Sequence, residues 1–259
     1  MDWSKKVVRA SRLAAAILPP PIGMRIIAYC ELLVGEPELR ILRKFIPADE
    51  DALDVGGSEG HYTFFISKFA RRCYTFEANV DSARIIKARV PRATIIDLAL
   101  SATAGTAELR TPITGSTGLL EGWATIEPSN NLDAVGAHSV QMRTVQTRAL
   151  DSFAFNNVGF VKIDVEGHEL SVLQGGREFL KNNLPYILVE CSEDNRVGAF
   201  ESITKFLTEF EYDWFENRRG RFTKLGSNRP TQTQNILFVP RKRPIGRQPA
   251  PVGLSGDMQ

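Results

Sequence analysis

A glycine-rich turn is the first segment of the chain whose residue types could do chemistry. It includes the candidate ligand-binding positions Asp54, Gly56, Gly57, Gly60 and Tyr62. Glycine has no side chain, so such a turn lets a nucleotide-like ligand approach the backbone closely. The spacing differs from the G-x-G-x-x-G of dinucleotide sites, and a carboxylate at Asp54 would repel a pyrophosphate. The same charge favours a ligand with an ammonium and a sulfonium, such as S-adenosylmethionine, although Asp54 could instead cap a helix.

A second candidate, Glu77, follows a short apolar run and lies 21 residues beyond Gly56. A carboxylate at this spacing can accept hydrogen bonds from both hydroxyls of a ribose. The next apolar run, residues 94–100, should end beside the base of the same ligand. We therefore expect Asp97 or the backbone near Ala99 to face the base edge. The turn and Glu77 together favour an adenosyl-binding crevice.

The most specific stretch of the sequence is residues 159–170, which read GFVKIDVEGHEL. With the DVGxxxGxYT turn at residue 54 and the Phe-Glu dipeptide at residue 76, this segment resembles the FkbM-type family of S-adenosylmethionine-dependent methyltransferases. The resemblance runs from about residue 51 to residue 191 and weakly to residue 240. It implies a Rossmann-like class I methyltransferase fold, S-adenosylmethionine as methyl donor, and a sugar or secondary-metabolite hydroxyl as acceptor. It assigns donor binding to Asp54, Gly56, Gly60 and Glu77, and the segment facing the reacting methyl to Asp164, Glu166 and His168.

An alcohol that accepts a methyl group has to lose a proton, which a side chain with a pKa near neutrality can take. We predict that His168 or Glu166 is this general base and that Asp164 orients the donor or the acceptor. The alternative is that Glu166 and Glu169 only favour a helix N-terminus and that His168 lies exposed on its first turn.

Glu190 ends the next apolar run and should point into the acceptor site. A Mg²⁺ site that combines Asp164 with Glu190, Asp194 or Asn195 is conceivable, because oxygen ligands from adjacent strand ends suit this ion. Acidic loop residues are usually just solvated, so we expect no metal. Lys162 lies within a buried run and should pair with a carboxylate.

The secondary-structure elements that position these residues can be predicted from residue 51 onward. There, short continuous apolar runs begin to alternate with segments whose apolar residues have helical spacing. The predicted strands are 53–55, 73–76, 94–100, 160–165 and 186–189, and the predicted helices are 60–70, 79–90, 169–181 and 197–210. This alternation is typical of a mostly parallel, doubly wound α/β sheet. Further runs at 212–215, 221–225 and 235–239 predict antiparallel C-terminal strands. Ligands of such sheets bind at the carboxyl ends of the strands, where the candidate residues lie.

Residues 106–147 interrupt the alternation of strands and helices. They contain a predicted hairpin, whose strands are 106–113 and 139–146. The long segment between them is typical of a functional loop or lid. We expect the acceptor to be held by residues 114–138 and by the N-terminal helices. The chain divides into an N-terminal helical extension (1–46), a methyltransferase domain (47–240) and a disordered basic tail (241–259).

The first predicted helix, residues 3–18, has one apolar face. This face consists of Trp3, Val7, Ala10, Ala14 and Ile17. We expect it to lie against the main domain. Because it is mostly alanine, any peripheral contact with a membrane should be weak, and no apolar stretch is long enough for a span.

Composition limits the remaining function classes. With 259 residues, 43% hydrophobic and 24% charged, the chain is an ordinary globular protein rather than a collagen-like, disordered or disulfide-scaffold protein. The net charge is +2, but each terminus carries +3, so the body is mildly acidic and has little electrostatic reason to bind nucleic acid. Three cysteines without C-x-x-C spacing predict free thiols in a reducing cytoplasm.

Two other function classes stay open from the sequence. One is a nicotinamide-dependent oxidoreductase on a Rossmann sheet, which the missing G-x-G-x-x-G disfavours. The other is a non-catalytic interaction domain that keeps the fold. This second alternative stays open because the turn carries Gly57-Ser58 where the family commonly has Ala-Asn. Titration with S-adenosylmethionine and with NAD separates the enzyme classes.

Overall fold

The structure, a computed structural model, describes residues 3–115, 118–130, 132, 136–218, 221–225 and 235–243. Its helices are α1 (Trp3–Ala16), α2 (Pro20–Val34), α3 (His61–Phe69), α4 (Val80–Arg89), α5 (Glu169–Gln174), α6 (Arg177–Asn183) and α7 (Ala199–Thr208). Its strands are β1 (Asp51–Val55), β2 (Cys73–Phe76), β3 (Ala93–Ile96), β4 (Ala99–Leu100), β5 (Gly105–Thr114), β6 (Gly118–Leu119), β7 (Ser139–Arg148), β8 (Val158–Ile163), β9 (Tyr186–Glu190), β10 (Tyr212–Arg218), β11 (Arg221–Lys224) and β12 (Asn235–Pro240).

The main sheet has eight strands in the order β11-β10-β12-β9-β8-β1-β2-β3. Strands β1, β2, β3, β8 and β9 are parallel, and β10, β11 and β12 pair with their neighbours in antiparallel fashion. All five residues of β1 and all six of β8 are buried, because helices cover both faces of the sheet. One core packs α2, α3 and α4 against the sheet, and the other packs α5, α6 and α7. The predicted mostly parallel sheet with antiparallel C-terminal strands is confirmed.

The predicted third strand, residues 94–100, is wrong in one respect. Strand β3 ends at Ile96, the chain bends at residues 97 and 98, and β4 joins a second sheet of order β4-β7-β5-β6. In that sheet β5 and β7 form the predicted hairpin, with Gly105 opposite Thr147. The second sheet lies over the carboxyl ends of the strands of the main sheet. The bend therefore carries the chain out of the main sheet and into the sheet above it.

The predicted helix 169–181 is also divided, into α5 and α6, at two glycines. A Cβ on Gly175 would lie 2.1 Å from the carbonyl oxygen of Ser101, and one on Gly176 would lie 2.9 Å from Leu150. Only glycine therefore allows the chain to approach Ser101 so closely at this point. The break at the end of α5 thus lies directly against the backbone of Ser101, whose hydroxyl takes part in the site described below.

Helix α1 turns the opposite face to the protein from the one that its sequence predicted. The predicted inner face points to solvent, with Trp3 69% and Ile17 86% exposed, whereas Val8 and Ala15 are buried. Small residues explain this packing, because a Cβ on Gly23 of α2 would lie only 3.1 Å from the Cβ of Ala15. None of the described helices combines the length and apolar character needed to cross a bilayer.

The start of the segment predicted as a disordered tail is packed against the body. Arg243 is buried, forms an ion pair with the buried carboxylate of Glu50, and lies 4.8 Å from the centroid of the Tyr186 ring. Residues 244–259 lie outside the described residues. The boundaries predicted for the domain and the tail stay predictions.

Candidate active site

A cavity of about 350 Å³ opens at the carboxyl ends of β1, β2, β8 and β9. Its volume lies within the range of small-molecule sites. Nine candidate residues from the sequence line it: Gly56, Gly57, Tyr62, Glu77, Ala99, Asp164, Glu166, His168 and Glu190. The structure therefore brings together residues that lie up to 134 positions apart.

The other three candidates do not line the cavity. Asp54 is fully buried and accepts a hydrogen bond from Thr63 Oγ1 at 2.6 Å, because alternate residues of β1 face opposite sides of the sheet. Burial raises the pKa of Asp54 to about 6. Gly60 is the N-cap of α3, and Asp97 is exposed at the bend after β3. Asp54 and Gly60 thus lie behind the turn, and Asp97 lies outside the cavity lining.

The turn after β1 needs glycine for two physical reasons. Gly56 has a φ of +88°, which an L side chain rarely adopts, and a Cβ there would lie 1.8 Å from the carbonyl oxygen of Asp164. A Cβ on Gly57 would lie 2.5 Å from Thr75 Cγ2. The amide of Asp164 donates to the carbonyl oxygen of Val55 at 2.9 Å. The turn is thereby clamped to the end of β8, and its backbone lies open to a ligand.

Gly56→Ala should abolish measurable donor binding and lower the midpoint of thermal unfolding, since strain and steric overlap act together. Gly198→Ala is the matched control, because Gly198 has a φ of +76° but a Cβ there would meet no described atom within 4 Å. The control should show only the left-handed backbone penalty of about 1–2 kcal/mol. Calorimetric titration with S-adenosylhomocysteine and thermal unfolding measure both effects. Equal results for the two variants would contradict the steric explanation.

Glu77 lies at the end of β2 and is held by the backbone on two sides. The amide of Ser58 donates to Oε2 and the amide of Asn79 donates to Oε1, each at 2.8 Å. Burial raises the pKa of Glu77 to about 7, although these two hydrogen bonds act in the opposite direction. A carboxylate has about four acceptor positions, so two remain for the hydroxyls of a ligand.

His168 lines the cavity between two polar partners that the sequence did not predict. Its Nδ1 lies 3.1 Å from Glu127 Oε2, and its Nε2 lies 3.0 Å from Ser101 Oγ. Burial raises the pKa of Glu127, but hydrogen bonds from Ser129 and His168 offset this and lower the pKa overall. An ionised Glu127 can only accept, so the ring proton is on Nδ1 and Nε2 is an acceptor.

The ring of His168 is neutral at physiological pH. Burial lowers its pKa below the ordinary value of 6.5, and Glu127 only partly compensates. A carboxylate, an imidazole and a hydroxyl in this order form the arrangement that activates oxygen nucleophiles in hydrolases. His168 can therefore take a proton at Nε2 while Glu127 stabilises the imidazolium that forms.

Glu166, the other candidate for the base, has different properties. Burial raises its pKa to about 9, and the charges of Asp164 and Glu169 add to this effect. Its own φ is +53°, and its carbonyl oxygen accepts hydrogen bonds from Thr125 Oγ1 and Asn130 Nδ2, each at 2.7 Å. A carboxyl that keeps its proton at pH 7 is a donor rather than a base, so these observations favour His168.

The buried residues around Asp164 match the sequence expectation in part. Lys162 is 1% exposed and donates to Asp164 Oδ2 at 2.9 Å, which confirms the predicted pairing. Asp164, Glu166 and Glu190 each offer a carboxylate oxygen within 4.8 Å of one another, a set that could hold a divalent cation. Asn195 turns its amide nitrogen to Glu166 and Glu190, at 2.7 and 3.2 Å. Lys162 already places a positive charge beside Asp164, and Asn195 already donates hydrogen bonds to Glu166 and Glu190. These contacts take the place of those that a cation would make.

Glu169, for which the sequence left a role at a helix N-terminus as an alternative, contacts the backbone of the turn before α5. Its carboxylate accepts hydrogen bonds from the amides of Val165 at 3.1 Å and Gly167 at 3.0 Å, and it is buried beneath the turn that carries Glu166.

The N-terminal helices contribute a wall that carries no sequence motif. Arg12 and Glu36 line the cavity. Arg12 Nε donates to Glu59 Oε2 at 2.7 Å, and His61 Nε2 lies 3.1 Å from Glu36 Oε1. Burial raises the pKa of Glu36, but the hydrogen bond and charge of His61 prevail and lower it to about 2. This wall therefore presents one guanidinium and one permanent carboxylate.

The second sheet and the segment that follows β6 supply the roof of the cavity. The lining residues from this part of the chain are Leu109, Glu121, Gly122, Trp123, Ala124 and Ile126. Glu121 Oε2 accepts a hydrogen bond from Ser82 Oγ at 3.2 Å, which joins the roof to α4. The roof is mainly apolar, whereas the floor is acidic.

The strand order, the glycine turn at the end of β1 and the acid at the end of β2 define the class I S-adenosylmethionine-dependent methyltransferase fold. The family model described as "Methyltransferase FkbM domain" matches residues 54–214. The chain therefore belongs to the FkbM methyltransferase family, as its motifs predicted.

Comparison with solved structures gives distant likenesses. The methyltransferase FkbM from Methylobacillus flagellatus KT has 15% sequence identity and a TM-score of 0.48, over 92% of this chain and 60% of that protein's chain. The protein SMU.1697c from Streptococcus mutans, in complex with SAH, has 8% identity and a TM-score of 0.44, over 78% and 93%. The O-methyltransferase from Bacillus cereus, also in complex with SAH, has 13% identity and a TM-score of 0.43, over 92% and 90%. No protein of curated function matches the sequence significantly.

Proposed function

We propose that the protein transfers a methyl group from S-adenosylmethionine to a hydroxyl group of a sugar, a glycan or a secondary metabolite. The observation that carries this proposal is the neutral His168, which lines the cavity of a methyltransferase fold and is held by Glu127 so that Nε2, beside Ser101 Oγ, is the proton acceptor. A hydroxyl acceptor needs such a base, because it loses its proton as the new bond to carbon forms.

The residues of the cavity fit the donor. The turn at Gly56 and Gly57 leaves no room for side chains and so offers backbone to the ligand. Glu77 has two free acceptor positions for a ribose, and Ala99 gives a small surface for a base. When bound, S-adenosylmethionine supplies an electrophilic methyl group on a sulfonium, a charge that suits the acidic floor formed by Asp164 and its neighbours.

The residues of the chain perform three tasks in this reaction. Glu127 keeps the ring proton of His168 on Nδ1, so that Nε2 faces the acceptor hydroxyl in the place of Ser101 Oγ. The roof around Trp123 excludes water and aligns the acceptor with the methyl carbon. Glu166, protonated at neutral pH, donates a hydrogen bond to the acceptor without adding a charge.

The charge of the lining narrows the acceptor class. Asp164 and Glu121 line the cavity and Glu127 lies behind His168, so the negative charge of the crevice would repel a polyanion such as nucleic acid. The apolar surface of Trp123 and Ile126 suits the face of a sugar or another ring. We therefore expect a neutral, hydroxyl-bearing small molecule or glycan.

Two experiments test the proposed function. Calorimetric titration should give binding of S-adenosylhomocysteine and none of NAD, and the opposite result would favour an oxidoreductase. Incubation with donor carrying a deuterated methyl group and a metabolite extract should then yield a component that gains one such group, detected by mass spectrometry. Donor binding without transfer to any component of extracts or of a panel of sugars and polyketides would favour a non-catalytic domain.

The wall formed by Arg12 and Glu36 should bind the amino-acid end of the donor, with the guanidinium on the carboxylate and the carboxylate on the ammonium. Arg12→Ala is expected to weaken S-adenosylhomocysteine binding about fivefold to tenfold, a discounted value because Arg12 is half exposed. Binding of 5′-methylthioadenosine, which lacks that end, should not change. Arg9→Ala, on the outer side of α1, is the control. Equal losses for both ligands would assign Arg12 a purely structural role.

The proposal includes a cytoplasmic location. Its support is that Cys30, Cys73 and Cys191 are all free, with two of them buried. Unpaired thiols fit a reducing compartment.

A further inference from the structure

The N-terminal helices carry an unusual concentration of exposed apolar side chains. Of the twelve large apolar side chains that are exposed among the described residues, six belong to α1, α2 or the turn between them. These six are Trp3, Leu13, Ile17, Ile22, Tyr29 and Leu33, and we call the exposed sides of the two helices that carry them the outer face. An apolar surface of this kind marks an interaction site.

Helical spacing gathers these side chains on one side of each helix. In α1, Trp3 and Leu13 lie ten residues apart, and Ile17 follows four residues later, just after the helix ends; in α2, Ile22, Tyr29 and Leu33 are seven and four apart. The opposite sides are buried, at Val8, Ser11 and Ala15 in α1 and at Met24, Ile27 and Ala28 in α2. The outer face is therefore the unpacked side of a well-packed helix pair.

The charge of the outer face has one sign. Lys6, Arg9 and Arg25 are exposed on the two helices, and Lys68 reaches Tyr29 with Nζ 3.1 Å from the hydroxyl. The only acidic residue between Trp3 and Ala16 or between Pro20 and Val34 is Glu31, which is buried. Amphipathic helices with aromatic and aliphatic residues beside Lys and Arg bind the interface of membranes that contain anionic lipid.

We propose that the outer face docks the protein on a membrane surface that carries anionic phospholipid. A second copy of the chain is a poorer occupant, because two outer faces would bring like charges together. The apolar contact with the membrane should be stronger than the sequence predicted. Leu13 and the α2 residues add to Trp3 and Ile17, and the sequence pattern did not place Leu13 on this face.

Sedimentation of the full chain with lipid vesicles tests this proposal. The protein should bind vesicles of phosphatidylcholine with about one-third phosphatidylglycerol much more tightly than pure phosphatidylcholine vesicles, and raised salt should weaken the binding. The Lys6→Gln/Arg9→Gln double variant should bind about thirtyfold more weakly, since each basic residue near the surface contributes about fivefold.

A second pair of variants examines the apolar part. Leu13→Ser/Ile17→Ser should lose vesicle binding, whereas Val197→Ser, at a residue 91% exposed elsewhere on the protein, should leave it unchanged. All variants should keep the binding of S-adenosylhomocysteine, which shows that they fold and separates this proposal from the proposed enzymatic function. Equal binding of neutral and anionic vesicles, or no binding of either, would overturn the proposal. A dimer that Leu13→Ser/Ile17→Ser dissociates would show that the face joins two copies instead.

Discussion

Replacing His168 with alanine should lower the turnover number about 10²–10⁴-fold, while the Kd of S-adenosylhomocysteine stays within about twofold. The loss is confined to turnover because His168 contacts Ser101 and Glu127 on the acceptor side, whereas donor binding rests on the glycine turn and Glu77. Single-turnover methyl transfer and calorimetry measure the two quantities on the same preparation. Unchanged turnover would remove His168 from the catalytic residues.

The pH profile gives an independent readout of the same group. His168 acts as a base only when neutral, so the rate should rise with pH through a pKa below 6.5 and then level off. Glu127 raises that pKa, so Glu127→Gln should move the rise to lower pH and also reduce the plateau, because the imidazolium loses its partner. Glu108→Gln, an exposed acid of β5, is a control for general charge effects. A rise that persists in His168→Ala belongs to another group.

Glu77→Ala should weaken binding of S-adenosylhomocysteine about tenfold to a hundredfold. A hydrogen bond to a charged group contributes about 1.5–3 kcal/mol, and the variant also leaves the amides of Ser58 and Asn79 without their acceptor. The binding should also depend on pH in the wild type. The pKa of Glu77 is raised to about 7, so affinity should be full above pH 7 and fall as pH decreases through that value.

Glu77→Gln separates the charge from the shape of the side chain. This variant keeps most of the volume, so its affinity should be weak and should no longer change with pH around 7. Calorimetry between about pH 6 and pH 8.5 measures both proteins, corrected for buffer protonation. A wild-type affinity that is flat over this range would show that the ribose does not meet an ionised Glu77.

The parts of the site that the sequence predicted are those that depend on local pattern. Gly56, Glu77 and Asp164 each follow a continuous apolar run, and a parallel sheet brings the ends of such runs to one edge. Asp54 and Asp97 lie away from the cavity because of backbone details that change within one or two residues, which a sequence pattern does not resolve. The pleat turns Asp54 away from the crevice, and the chain leaves the sheet just before Asp97.

Other features depend on contacts that no local pattern carries. Glu127 and Ser101 lie 41 and 67 residues from His168, in a roof whose sequence gives only a hairpin prediction. For α1, periodicity predicted the helix but not which side packs, because small residues such as Ala15 can be better partners for a neighbouring helix than Trp3. Close packing of this kind is a property of the pair and not of either helix.

Helix α1 has a consequence for how the protein should be handled. Residues 54–214 match the family, but Arg12, tied to Glu31 and Glu59 at 3.4 and 2.7 Å, closes the cavity from outside that range. A fragment trimmed to the matched range would keep the glycine turn and His168 while losing Arg12, Glu31 and Glu36 together. Its cavity would stand open to bulk solvent on that side. The same trimming would also remove the first three residues of the central strand β1, helix α2 and all of β11 and β12, so the fragment would lose part of its packed core. Methyl transfer should therefore be tested on the intact chain.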